Sequence, residues 1–174
     1  MYTVDGEDRV IKLQDVPQSD VGAPAPIVLA DEQTTLLAYV IQGTPYPFDG
    51  RVLTDADLQI FAQQLALIEF SLSHSYMFGA PNDEALCGHP LASRGLEAYG
   101  AFEIENSSWI RQLEERNSVH PSHRGGWLQR LKHFIFAFHD STFECVARSL
   151  SASQHSSFES LLTEMTKRLN WDRT

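Results

Sequence analysis

Residues 133–146 read HFIFAFHDSTFECV, a run in which apolar side chains alternate with histidine, acid and hydroxyl groups on either side of Asp140 and Ser141. Successive side chains of a β-strand point to opposite faces, so this alternation predicts two strands joined in a hairpin, LKHFIFAFH and TFECVARSL. With the turn at Asp140-Ser141, Phe138 stands opposite Phe143, Phe136 opposite Cys145 and Phe134 opposite Ala147. Those six residues make one face an aromatic slab. The other face pairs His139 with Thr142, Ala137 with Glu144, Ile135 with Val146 and His133 with Arg148. A slip of one residue in either strand would exchange its faces, so the whole reading turns on the position of the turn.

The flanking segments extend this pattern. Residues 65–78, LALIEFSLSHSYMF, place Ala66, Ile68, Phe70, Leu72, His74, Tyr76 and Phe78 on one face, against Glu69, Ser71, Ser73 and Ser75 on the other. That period predicts one long strand with a buried face. IVLADEQTTLLAYVIQ, residues 27–42, predicts two strands around DEQ or one bent strand, and GAFEIENSS, residues 100–108, predicts a strand running into a helix start. Asn106, Ser107 and Ser108 are all good N-caps for the WIRQLEERN helix that follows, which ends before Pro121. DADLQIFAQQL, residues 55–65, either prolongs the following strand or forms a short helix capped by Thr54 or Asp55. Near the other end, SSFESLLTEMTKRLNW carries an apolar stripe of Phe158, Leu161, Leu162, Met165 and Leu169 behind a Ser156 or Ser157 cap. Two loops, VPQSDVGAPAP at 16–26 and GTPYPFDG at 43–50, hold five of the eight prolines. Helices are too few to cover both faces of a parallel sheet. The expected fold is therefore α+β, a curved antiparallel sheet with two or three helices packed mainly on one face. One domain over 1–174 is expected, with 1–26 an acidic, partly irregular N-terminal segment.

Charge and composition narrow the function. The 174 residues carry 13 Lys and Arg against 23 Asp and Glu, and residues 1–60 hold ten of those acids with only three bases. Phosphate backbones are held by Lys and Arg that displace counterions, so nucleic acid is excluded as an expected partner. An acidic surface suits a basic protein partner. No run approaches the ~18 apolar residues of a membrane-spanning helix. With two cysteines and no basic and apolar leader at the N-terminus, the reading is a cytoplasmic protein with reduced thiols. No cofactor is expected, because the chain lacks the G-x-G-x-x-G and G-x-x-x-x-G-K-[ST] patterns; it also lacks G-x-S-x-G.

Four groups of residues carry candidate chemistry. His74, His133, His139, Glu144 and Arg148 are the catalytic candidates, since proton transfer needs a carrier titrating near neutrality with a partner in hydrogen-bond reach. The same residues equally suit a solvated sheet face, and His74 equally suits a core histidine bonded to a carbonyl or a tyrosine. Arg94, His89 and Tyr99 are candidate ligand-binding residues in the glycine- and proline-rich loop 88–100, where Arg94 can fork onto a carboxylate. Cys87, His89, His120 and His123 are a weak metal set: the ligand count suits zinc, but the spacings depart from the usual pairs. Cys145 faces the slab, where a thiol is inert, whereas Cys87 sits in a loop beside His89. The function expected from these features is a soluble binding or interaction module. It takes a small ligand in a cavity between sheet and helix, or a protein partner on its acidic surface, and a homodimer is one such arrangement. The alternative is a small enzyme using a His/Glu/Arg cluster for proton transfer or a metal-assisted hydrolysis.

Overall fold

A computed structural model describes residues 2–42, 64–126 and 128–169. The loop GTPYPFDG and the helix or strand expected from Thr54 onward lie outside the described residues. The aromatic hairpin is the centre of the fold. Strand β7 (Lys132–Ala137) and strand β8 (Thr142–Ala147) pair antiparallel, and Phe134, Phe136, Phe138, Phe143, Cys145 and Ala147 all point into one buried cluster. The slab forms as the alternation predicts. The register differs by two residues: Phe136 faces Phe143, Phe134 faces Cys145 and His133 faces Val146, not Arg148. The Phe138 N–H donates to the Ser141 carbonyl at 2.8 Å, so the loop is His139-Asp140, one position earlier than the sequence suggests. An even shift preserves the faces while changing every pair.

The expected α+β class and antiparallel pairing hold, with the strands divided between two sheets, neither of them strongly curled. One sheet has the order β1-β6-β7-β8-β5 and the other β2-β3-β4-β9. In the first, β1 is Arg9–Lys12, β5 is Ser75–Gly79 and β6 is Gly100–Glu105. In the second, β2 is Ile27–Ala30, β3 is Thr34–Val40, β4 is Leu65–Ser71 and β9 is Ser149–His155. Two strands thus flank DEQ, and the Asp31 carboxylate closes their turn by accepting the Gln33 and Thr34 N–H groups at 2.8 and 2.7 Å. The slab packs on Leu37, Tyr39, Ala66, Ile68 and Phe70 of the four-stranded sheet. Each phenyl ring buried there contributes about 1.5–3 kcal/mol relative to exposure.

Residues 65–78 form two strands where the sequence predicts one. Leu72 adopts a left-handed φ of 49° and the chain crosses from β4 in one sheet to β5 in the other. The paired strand crosses beside it, β8 to β9, with Arg148 N–H donating to the Ser71 carbonyl at 3.0 Å. The paired ribbon gains one residue at this corner, since Ser75 faces Val146 but Ser71 faces Ser149. Corners between packed sheets are made by such bends. Hence Leu72 and His74 sit at an exposed corner and not on a buried face, and Tyr76 and Phe78 are half-exposed beside Phe143.

Among the described residues, each sheet carries one α-helix on its outer side. Helix α2 (Phe158–Arg168), capped by Ser157, lays Leu161 and Met165, with Leu169 just past its end, on Leu36, Ala38 and Leu67 of the four-stranded sheet. Phe158 and Leu162 of the expected stripe are largely exposed. Helix α1 (Ser108–Asn117) follows β6 directly. Asn106, a residue that tolerates left-handed backbone, takes φ 52° and turns the chain. Ser107 then caps the helix by accepting the Ile110 N–H at 3.3 Å. Helix α1 covers the outer face of the five-stranded sheet, together with residues 2–8 and with Leu86, Leu91 and Leu96 of the loop before β6. Two of those leucines lie on or beside short 3-10 turns, Leu86–Gly88 and Ala92–Arg94. No helix among the described residues is long and apolar enough to cross a membrane.

Candidate functional site

The polar face of the hairpin meets neither bulk water nor an open basin; it is roofed. His133 is 0% exposed and Glu144 6%, as buried as the phenylalanines behind them. They are diagonal neighbours on adjacent strands, since Glu144 stands opposite Ile135 and His133 opposite Val146. A carboxylate at this depth costs several kcal/mol unless donors surround it. Glu144 has three. His133 Nε2 lies 2.9 Å from its Oε2, the Tyr2 hydroxyl donates to the same oxygen at 2.8 Å, and His89 Nε2 lies 3.2 Å from Oε1.

The ring protons follow from these contacts. His89 Nδ1 accepts the Leu91 N–H at 3.1 Å, so its proton sits on Nε2 and points to Glu144. On His133, Nε2 faces the carboxylate while Nδ1 lies 2.9 Å from Ser107 Oγ. Burial on its own raises the Glu144 carboxyl, but hydrogen bonds from His133 and His89 outweigh it and hold the group down at about 2. Burial dominates at His133 and lowers it below its ordinary value of 6.5, against the pull of Glu144. The resting state is therefore an ionised Glu144 with a neutral His133. Burial, the Glu144 charge and the bond to it push the Tyr2 hydroxyl up, so it stays a donor.

The roof is built from distant pieces. Tyr2 stacks on Trp109 of α1 with ring centres 5.4 Å apart, and both rings meet His133 edge-on, at 5.4 and 5.0 Å. Buried Asp8 fastens the N-terminal segment to the start of α1: its Oδ1 accepts the Ser108 N–H at 2.7 Å and its Oδ2 accepts the Ser108 hydroxyl. Arg94 adds a bond from Nη1 to the Asp8 carbonyl at 3.0 Å.

Beside this cluster, a cleft of about 530 Å³ opens between β6, the start of β7 and the first turn of α1. Its floor includes Ile104, Ser107, Ile110 and Leu131, with Arg111 and Lys132 on the rim. Both cations are engaged by acids. Lys132 lies 2.9 Å from Glu103, and Arg111 lies 2.5 Å from Asp5 and 3.8 Å from Glu7. Ser107, 4% exposed, belongs both to the cleft and to the His133 chain.

The structure thus brings together His133, Glu144 and His89 and separates the other sequence candidates. His139 is in the hairpin loop, its Nδ1 2.9 Å from Asp140, with a raised pKa caused first by that bond. Nearby, the Tyr99 hydroxyl donates to Asp83. His74 and Arg148 are exposed at the inter-sheet corner. Cys87 is exposed, His120 accepts the Ser122 N–H at 3.1 Å, and His123 lies 3.0 Å from Glu114 on α1, whereas His89 is buried against Glu144. Among the described residues no group of three His, Cys, Asp or Glu is arranged to hold a metal ion. Tyr2 and Ser107 are not among the sequence candidates, and Asp8 enters only as one of the acids of an N-terminal binding surface. Only Ser107 had a local signal, as a helix cap, and that signal says nothing of His133.

Comparison of the chain with protein-family models, with curated proteins and with solved structures gives no match, so function rests on this geometry alone.

Proposed function

We propose that the protein is a cytoplasmic binding module that takes a small, uncharged molecule with an apolar portion into the cleft between the five-stranded sheet and α1. The cleft itself carries this reading. Its volume of about 530 Å³ lies in the range of small-ligand sites, and its floor combines Ile104, Ile110 and Leu131 with a serine hydroxyl. An uncharged ligand suits a rim whose Lys132 and Arg111 already face Glu103, Asp5 and Glu7. The acidic-surface reading is weaker, because Asp8 is buried and Asp5 and Glu7 serve Arg111. Two free thiols, exposed Cys87 and buried Cys145, suit a reducing compartment.

A screen of neutral fragments by amide NMR tests the proposal. Saturable shifts are expected at Ile104, Ser107, Ile110 and Leu131, and they should vanish in Ile110→Trp, which fills the cleft. Saturable shifts confined to another part of the surface, or none with any fragment, would remove the proposal.

A further inference from the structure

We infer that Ser107 is a nucleophile, activated by His133 and Glu144, and that the cleft hydrolyses small neutral esters. This rests on the cleft being the binding place proposed above. Three observations support it. The contacts Ser107 Oγ to His133 Nδ1 and His133 Nε2 to Glu144 Oε2 are both 2.9 Å, an unbroken hydroxyl, imidazole and carboxylate chain. Such an arrangement is recognised by geometry and roles and not by sequence order. Second, the chain is held in one alignment. His89 and Tyr2 fix Glu144, the rings of Tyr2 and Trp109 hold the imidazole edge-on, and Ser107 is fixed at the head of α1. Third, of the three groups it is Ser107 that lines the cleft, with His133 and Glu144 buried behind it.

A neutral imidazole whose Nε2–H is given to a carboxylate has its Nδ1 lone pair available for the serine proton. Burial keeps His133 neutral, which suits that task. In the first step Ser107 Oγ bonds to the ester carbonyl carbon and its proton passes to His133 Nδ1. The tetrahedral adduct collapses with cleavage of the carbon to alkoxy-oxygen bond, and the alkoxy oxygen takes that proton and leaves as an alcohol. Water then attacks the acyl-Ser107, gives a proton to His133 and releases the carboxylic acid as the proton returns to Ser107 Oγ.

The test treats the intact protein with a fluorophosphonate and, separately, with p-nitrophenyl butyrate, and maps the modified peptide by mass spectrometry. Phosphonylation of Ser107 ahead of the chain's other serines is expected, with ester hydrolysis above the buffer rate and loss of both in Ser107→Gly. Glycine is a tolerated helix cap, so this variant keeps α1. Glu144→Gln is expected to slow labelling about 10²–10⁴-fold. It should also move the inflection of the labelling rate against pH downward, because of the groups facing His133 (Glu144, His89, Tyr2 and, farther off, Asp8) it removes the charge that favours the imidazolium. An inflection left in place would mean that labelling does not run through His133 and would overturn its role. If Ser107 stays unmodified and the ester is untouched while neutral fragments still shift the cleft amides, the nucleophile is overturned and the binding proposal stands. If fragments fail as well, both fall.

Discussion

The two faces of the β7–β8 hairpin are equally buried and are held by opposite means. On the inner face Phe134, Phe136, Phe138 and Phe143 fill space against the second sheet, and their stability depends on volume. On the outer face His133 and Glu144 are equally dry, and their stability depends on each polar atom meeting its partner. Removing atoms from the first face leaves a cavity. Removing them from the second leaves a buried charge short of a donor.

That contrast breaks most severely at the charge and its donors. His133→Leu, which takes a donor from the buried carboxylate and a partner from buried Ser107, is expected to cost about 3–5 kcal/mol, read from the urea unfolding midpoint. On the inner face Phe143→Ala should cost a similar about 3–5 kcal/mol. The distinction appears in isosteres: Tyr2→Phe removes one oxygen and almost no volume, yet should cost about 1.5–3 kcal/mol, because the bond it loses is to a charged group.

Acid should also act on the outer face alone. Glu144 is held at about 2, below its ordinary 4.5, so its contribution is complete above 4.5 and is lost as pH falls toward 2. His133 is lowered from 6.5, which has the same sign, since the unfolded chain takes up a proton first. Stability should therefore decline on acidification from about pH 6.5 and more steeply below 4.5, and unfolding curves across that range check it. The smallest expected effect sharpens the inner face. Burial pushes the Cys145 thiol up to about 12, against a hydrogen bond with Ser73 that lowers it, so a thiol reagent should count one reactive cysteine, Cys87, in the native protein and two in denaturant.

Much of the hairpin was legible in the sequence because period-two alternation is a local signal. The faces of Phe134 to Ala147 follow from it. Cap-forming residues narrowed the helix starts to Asn106, Ser107 or Ser108 and to Ser156 or Ser157, of which Ser107 and Ser157 serve. The exact pairing of the hairpin was not legible, because His-Asp and Asp-Ser are both weak turn dipeptides and the choice between them moves the register by two. The corner at Leu72 was hidden for a different reason: a left-handed leucine is imposed by the second sheet, against its own preference. The candidate site was legible only in part. His133 and Glu144 could be placed on one face, but whether that face is wet depends on residues 2–8 and 86–96, which approach it only in three dimensions.

The Tyr2–Glu144 bond joins positions 142 residues apart. During synthesis the tyrosine is made 142 residues before its partner exists. Loop closure over such a span and the many distant strand pairings both favour slow assembly. The cluster is therefore a late product of folding, and a chain interrupted between α1 and β7 has the serine and its helix but neither the imidazole nor the carboxylate beside them.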